Sequence, residues 1–247
     1  MTDMSGQVVV VTGGSRGMGR EMVRAFAAQG AHVVIASRKL SNCEALADEV
    51  RAHAGVRALP VECNVSDWAD CDRLVEAAYG EFDRVDVLVN NAGMSPLYPS
   101  LDQVDEALYD KVLGVNLKGP FRLSASIGSR MAADGGGSII NISSVAAIRP
   151  DPHTVPYAAA KAGLNALTEG MAQAFAPKVR VNAIQCGPFL TDISEAWTPQ
   201  MRERMEGSVA LRRCGEPDEV LGAVLYFAGA QSSFCTGAIL RLDGGMA

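Results

Sequence analysis

Short apolar runs rich in β-branched residues alternate along this chain with longer stretches whose apolar positions recur every three or four residues. The first run, QVVVVT at Gln7 to Thr12, has the pattern of a buried strand. After a glycine-rich turn, Met22, Val23, Phe26 and Ala27 repeat at helical spacing until Gly30 stops the helix. HVVIA, His32 to Ala36, is the second strand. A helix over Cys43 to Ala52 leads to a third strand at Ala58 to Val65. Ser66 and Asp67 offer N-caps for a helix through Tyr79, and Val85 to Val89 is the fourth strand. Beyond the loop MSPLYPS, a helical region runs from about Gln103 to Ala133, with interruptions near Gly114 and Gly119. Ser138 to Ile142 is a fifth strand. Tyr157 to Phe175 is a helix closed by Pro177, and Val179 to Cys186 is a sixth strand. A helix from Pro217 to Gly229 and a strand at Ala238 to Leu242 complete the pattern.

Regular alternation of this kind predicts an α/β fold: a doubly wound, Rossmann-like parallel sheet of seven strands with helices on both faces. No repeat, linker or low-complexity stretch divides residues 1–247, which read as one domain with a substrate loop or lid near 188–215. In such a sheet, ligands sit at the carboxyl ends of the strands. The ends of strands one, four, five and six carry TGGSRGMG, NNAG, SS and QCGPFLT, so the chemically suggestive residues share one edge.

The first strand, the glycine turn, a helix and a second strand fall within about 30 residues, the unit that holds a dinucleotide pyrophosphate at a helix N-terminus. Gly13, Gly17 and Gly19 follow G-x-x-x-G-x-G, where absent side chains let the backbone turn tightly and approach phosphates. A second constellation is Tyr157 with Lys161. Four apart on a helix, they stand on one face. An ammonium beside a phenol favours the phenolate, so the tyrosine pKa is expected to fall and suit the residue to acid/base work. Ser144, thirteen residues upstream of Tyr157, can hydrogen-bond the oxygen that the tyrosine protonates. The bland alternative is an exposed lysine beside a packed tyrosine.

Charge and composition narrow the partners. The net charge of −6 and the lack of a basic run argue against nucleic acid as a partner. No stretch of about 18 apolar residues exists to span a membrane, and MTDMSGQ has no signal-peptide character. Six cysteines without a C-x-x-C and three scattered histidines suggest neither a metal site nor a disulfide framework, so reduced thiols in the cytoplasm are expected.

Taken together, TGGSRGMG, NNAG, Asn116, Ser144, Tyr157 with Lys161, the segment ending at Thr191 and TGAILRLDGG resemble the compact form of the short-chain dehydrogenase/reductase family over essentially the whole chain. The resemblance implies an NAD(P)-dependent oxidoreductase acting on CH-OH groups and carbonyls. Tyr157 would pass the hydroxyl proton, Lys161 would lower its pKa and hold the nicotinamide ribose, and Ser144 would polarise the carbonyl. Asn116 would kink its helix and hold a water linking Lys161 to solvent. The implied cofactor contacts are Gly13, Ser15, Arg16, Gly17, Met18 and Gly19; Ser37 and Arg38; Asn64 and Val65; Asn91, Ala92 and Gly93; Tyr157 and Lys161; and Gly187, Phe189 and Thr191. Ser143 is a rival to Ser144 that family spacing sets aside. Cys186 reads as a small buried filler. Two departures stand out. Asn64 replaces the usual aspartate against the adenine amine, which weakens that hydrogen bond without abolishing it. Cys186-Gly187 replaces Pro-Gly, which loosens the following loop.

No carboxylate ends the second strand, where an NAD-selective protein places one for the ribose 2′-OH. That place reads Ala36-Ser37-Arg38-Lys39, and Arg38, Ser37 and Arg16 point to NADP(H) rather than NAD(H). The substrate is expected among Met94 to Ser100, Val145 to Val155 and Phe189 to Leu211. Ile193, Trp197, Met201 and Met205 form an apolar stripe, which either packs on the body or closes as a lid. Arg149 and His153 either meet an anionic substrate or are solvated loop residues. Readings other than a small-molecule carbonyl or alcohol are an acyl-carrier-protein-linked reductase, a sugar or polyol dehydrogenase and a non-catalytic nucleotide sensor. The first expects basic residues that MAADGGGS lacks, and the last expects loss of the tyrosine or lysine. Small residues along the Tyr157 helix let a neighbour approach closely, and the resemblance implies that this helix and the one bearing Asn116 form an interface in a homotetramer.

Overall fold

Residues 3–191, 194 and 197–246 are described by the computed structural model. Its centre is a sheet of seven parallel strands in the order β3-β2-β1-β4-β5-β6-β7. The elements are β1 (Val8–Thr12), α1 (Gly17–Ala28), β2 (His32–Ser37), α2 (Leu40–Ala54), β3 (Ala58–Glu62), α3 (Trp68–Phe82) and β4 (Val87–Asn90). Then come α4 (Glu106–Leu113), α5 (Gly119–Ala133), β5 (Gly137–Ser144), α6 (Val155–Ala174), β6 (Val179–Cys186), α7 (Pro199–Gly207), α8 (Leu221–Ala228) and β7 (Ile239–Leu242).

Both faces of the sheet are covered, which is why its strands read as continuous apolar runs. Val9, Val11, Val33 and Ile35 turn to the layer formed by Met22 and Phe26 of α1, Leu46 of α2 and Val224 and Phe227 of α8. Val8, Val10 and Val34, one residue out of phase, turn to Leu74 of α3, Leu123 and Ile127 of α5 and Met171 of α6. Each such side chain contributes about 1.5–3 kcal/mol by leaving water. The chain runs outward from β1 to β3, then returns to place β4 on the other side of β1. That reversal opens a crevice between the carboxyl ends of β1 and β4.

Differences from the sequence expectation have local causes. β3 stops at Glu62, because the chain turns at Asn64, whose backbone carbonyl accepts from the Asp67 N–H at 2.8 Å. Asp67, not Ser66, caps α3 by accepting from the Asp70 N–H at 2.8 Å. β5 runs on to Ser144, in register with Cys186 of β6. The glycines at 114 and 119 do not break the helical region; a π-helical turn, Gly114–Lys118, joins α4 to α5. Gly119 is there for contact: a Cβ on it would lie 2.3 Å from the Val65 carbonyl oxygen. No residue of α7 is fully buried; Met201 and Met205 are half-buried, and Ile193 lies outside the described residues.

Candidate active site

At the end of β1 the chain enters the glycine turn, with Gly13 and Gly17 at φ of 61° and 51°. A Cβ on Gly13 would lie 2.9 Å from the Ala92 Cα, and one on Gly19 would lie 2.2 Å from the Gly13 carbonyl oxygen. The side chain of Asn91 holds this turn from the neighbouring strand end, donating to the carbonyls of Thr12 at 2.9 Å and Gly13 at 3.2 Å. The Thr12 hydroxyl accepts from the Asn91 and Ala92 N–H groups, both at 3.1 Å. Asn91 is thus committed to shaping the turn, and the backbone of Ala92 and Gly93 lies alongside it. α1 begins with no side-chain cap from Arg16 and no acidic residue in its first turn. Its first N–H groups therefore suit a phosphate, and the residues present fit a nicotinamide dinucleotide. Met18 packs half-buried on the core beneath.

The Ser15 hydroxyl donates to that of Ser37 at 2.9 Å, so the glycine turn and the end of β2 meet. Arg16 and Arg38 are both exposed there, and Arg38 has no ion-pair partner among the described residues. The fold also sets exposed Glu62 in register with Ser37. No pattern in the sequence near Ser37 announces that carboxylate, because strand pairing supplies it from 25 residues away. At Asn64, the side-chain oxygen accepts from the Ser66 N–H at 3.3 Å and the Ser66 hydroxyl at 2.9 Å. Its acceptor capacity is taken up within its own turn, while Val65 is buried against Gly119.

Ser144, Tyr157 and Lys161 come together at the ends of β5 and β6. Ser144 lies close enough to Tyr157 to lower the phenol's pKa, and its hydroxyl accepts from the Ala146 N–H at 3.2 Å. Ser143 is turned inward, donating to the Asn165 side chain at 2.6 Å. The Lys161 ammonium, 3% exposed, donates to the Ile142 carbonyl at 2.7 Å and sits 5.7 Å from the Tyr157 ring centre. Asn116 lies in the π-helical turn and bridges to the loop after β4. Its amide donates to the Met94 carbonyl at 2.8 Å and to the Val112 carbonyl at 2.9 Å, while its oxygen accepts from the Met94 N–H at 3.3 Å.

The expected fall in the tyrosine pKa is not what this arrangement gives. Burial pushes the Tyr157 phenol up to about 12, against the nearby Ser144, which lowers it. Burial also pulls Lys161 down to about 8. The reason is burial: desolvation opposes charge on both groups, and the ammonium is directed to the Ile142 carbonyl. Cys186, behind them, is buried and likewise pushed up to about 12.

The segment after β6 is fixed at its root despite lacking Pro-Gly. The Gly187 N–H donates to Leu242 at 3.0 Å, and Leu190 and Gly215 exchange bonds through the Gly215 and Pro188 carbonyls at 2.8 and 2.9 Å. A Cβ on Gly187 would lie 2.7 Å from the Asp243 Cα, so no side chain fits there. Phe189 is buried with its ring on Gly215, and Thr191 is half-buried. Arg149 donates to the carbonyl of Met246, and Ala210 and Leu211 donate to Gly245 and Gly244, each at 3.1 Å. Arg149 is thereby engaged by the chain itself, and His153 is exposed.

A family model described as short chain dehydrogenase matches residues 7–202. The L-rhamnose 1-dehydrogenase (NAD(P)(+)) of Azotobacter vinelandii is 39% identical, over 97% of this chain and 96% of its own. A 3-oxoacyl-(acyl-carrier-protein) reductase of Thermotoga maritima is 34% identical, over 98% of both chains. Among solved structures, a blue fluorescent protein from a metagenomic library in complex with NADPH superposes with a TM-score of 0.93, at 33% identity over 99% of both chains.

Proposed function

The chain belongs to the short-chain dehydrogenase/reductase family and is a nicotinamide-dependent oxidoreductase of carbonyl and alcohol substrates, and from that premise we propose that it is an NADP(H)-linked dehydrogenase/reductase of small molecules with Ser144, Tyr157, Lys161 and Asn116 as its working residues. The observation that carries this reading is the convergence of Ser144, Tyr157 and the buried Lys161, 5.7 Å from the Tyr157 ring centre, at the strand edge beside the uncapped start of α1. The cofactor supplies or accepts the hydride. Tyr157 delivers a proton to the substrate oxygen, Ser144 holds that oxygen, and Lys161 places positive charge beside the phenol as its proton leaves. Asn116 braces the Met94 backbone, and with it the wall on the Gly93 side. A non-catalytic sensor would have no use for this constellation.

Charge at the surface argues for a small substrate. Arg122 and Arg130 of α5 are paired with Asp72 and Glu76 of α3, and Arg149 is held by Met246. Those three arginines are engaged by their neighbours, which weakens any hold they would offer an acidic carrier protein. A polyol or sugar remains the second reading, favoured by the likeness to the rhamnose enzyme. Saturating the purified protein with cofactor and following nicotinamide absorbance across ketones, sugars and secondary alcohols tests both. Turnover with sugars alone selects the second reading, and no turnover with any carbonyl or alcohol overturns the assignment.

The proposal extends to assembly and place. Ala159, Ala162, Ala166 and Gly170 form an exposed stripe of small residues along α6, while Ala158, Ala160 and Ala172 are buried. Tyr109 of α4 and Phe121 of α5 are exposed as well. A homotetramer joined through α6 and the α4–α5 helix covers these surfaces, in keeping with the closed symmetry common among soluble assemblies. Light scattering at micromolar concentration is expected to give a tetramer; a monomer refutes it. All six thiols are free and no helix among the described residues is long and apolar enough to cross a membrane. A reducing cytoplasm suits those thiols.

A further inference from the structure

The helix that bears Tyr157 does not cap itself. Its N-cap, Thr154, makes no side-chain bond to the first turn; its hydroxyl donates back to Asp151 at 3.4 Å. Pro156, the second residue of α6, has no N–H to offer. The first donor of the helix is therefore the Val155 N–H, and an unpaired donor at a helix start costs stability. Its partner comes from another loop. The phenol of Tyr98 accepts from the Val155 N–H at 2.8 Å and donates to the Pro152 carbonyl at 2.9 Å, across 57 and 54 residues of sequence. Tyr98 is 7% exposed, so this hydroxyl is a made-to-fit contact and not a surface one. It belongs to the loop after β4, the same loop that Asn116 braces at Met94.

We propose that Tyr98 is a positioning residue for the reaction, a cap supplied from a distant loop of the same chain that fixes the first turn of α6 and locks the two loops bordering the substrate to each other. The inference rests on Tyr157 being the proton donor. Only Pro156 separates the capped amide from Tyr157, and Tyr98, Val112, Pro156 and Tyr157 line one narrow pocket. Losing the hydroxyl frees the Pro152 carbonyl and the Val155 N–H together. The first turn then frays, and the Tyr157 phenol loses its fixed bearing on Ser144. A reacting group displaced by about 1 Å costs up to roughly 100-fold in rate, so a loss of orientation reads out chiefly in kcat.

The test is Tyr98→Phe, which keeps the buried ring and removes only the hydroxyl. The expected result is kcat lower by about tenfold per bound cofactor. The cofactor dissociation constant is expected to stay unchanged and the Val155 amide to exchange faster with deuterium. In a Tyr157→Phe background the same change is expected to lower the residual rate by less than about twofold, because the proton donor it orients is already gone. Unchanged kcat, or fully additive losses in the double variant, overturns the positioning role. Unchanged protection of the Val155 amide overturns the cap itself, whatever Tyr157 does. Near-normal turnover in Tyr157→Phe alone instead sinks the assignment of the proton donor, and the amide measurement still decides whether the cap exists.

Discussion

Tyr157→Phe is expected to lower turnover by about 10²–10⁴-fold, the range that general acid/base catalysis supplies. The variant keeps the ring and loses only the transferable proton. Cofactor affinity is expected to hold, since the glycine turn, Asn91 and the start of α1 do not depend on the phenol. The pH dependence carries the sign. In the cofactor-free protein, burial holds the phenol up at about 12 and Lys161 down at about 8. At neutral pH the tyrosine is therefore protonated, set to donate toward a carbonyl. Reduction should hold through mildly alkaline pH and weaken only as the pH nears the phenol's value, while alcohol oxidation, which needs the phenolate, should strengthen over that upper span. The remaining activity of the Phe variant should lose this opposed dependence. Steady-state kinetics in both directions from neutral to alkaline pH check both statements. Near-normal turnover, or a Phe variant with the wild-type pH profile, removes Tyr157 from the proposed chemistry.

The elements most legible in the sequence are those whose residues meet only apolar neighbours. β1 is such an element, four valines and a threonine over Val8–Thr12, all buried and within one residue of the expected bounds, because a strand covered on both faces reads as continuous apolar sequence. β5 is longer than its pattern suggests, since Asn141 and Ser143 are polar yet buried. Their bonds to Thr168 at 2.9 Å and Asn165 at 2.6 Å are made to α6, which no local pattern reveals. Asn116 could be picked out by the resemblance, but the π-helical turn around it depends on Met94, 22 residues away. The spacing of Tyr157 and Lys161 identified a shared helix face. It said nothing about burial, and burial reverses the expected direction of the tyrosine shift. Tyr98 carried no signal at all, because its hydroxyl matters through two backbone groups on another loop.

Arg38→Asp is expected to shift the ratio of kcat/KM for NADPH over NADH by about 10²-fold toward NADH. Removing a charge-assisted hydrogen bond costs about 1.5–3 kcal/mol, and placing a carboxylate against a phosphate adds repulsion. The geometry behind this is the contact between the glycine turn and the end of β2, where the Ser15 and Ser37 hydroxyls meet at 2.9 Å. Arg16 and Arg38 are exposed on either side of that contact, and no ion pair among the described residues holds Arg38. A 2′-phosphate at this place would meet positive charge from both. Glu62 works the other way, since strand pairing sets its exposed carboxylate beside Ser37. A carboxylate there would temper a preference for the phosphate and would give NADH a foothold on the 2′-OH. Wild type is therefore expected to favour NADPH without excluding NADH. The Asp variant presents two carboxylates where one stood and should reverse the order. Cofactor titrations by fluorescence, run beside the kinetics, separate binding from turnover: the NADPH dissociation constant should rise while that of NADH changes little. A wild type that prefers NADH, or a variant with an unchanged ratio, would show that Arg38 does not read the 2′-phosphate.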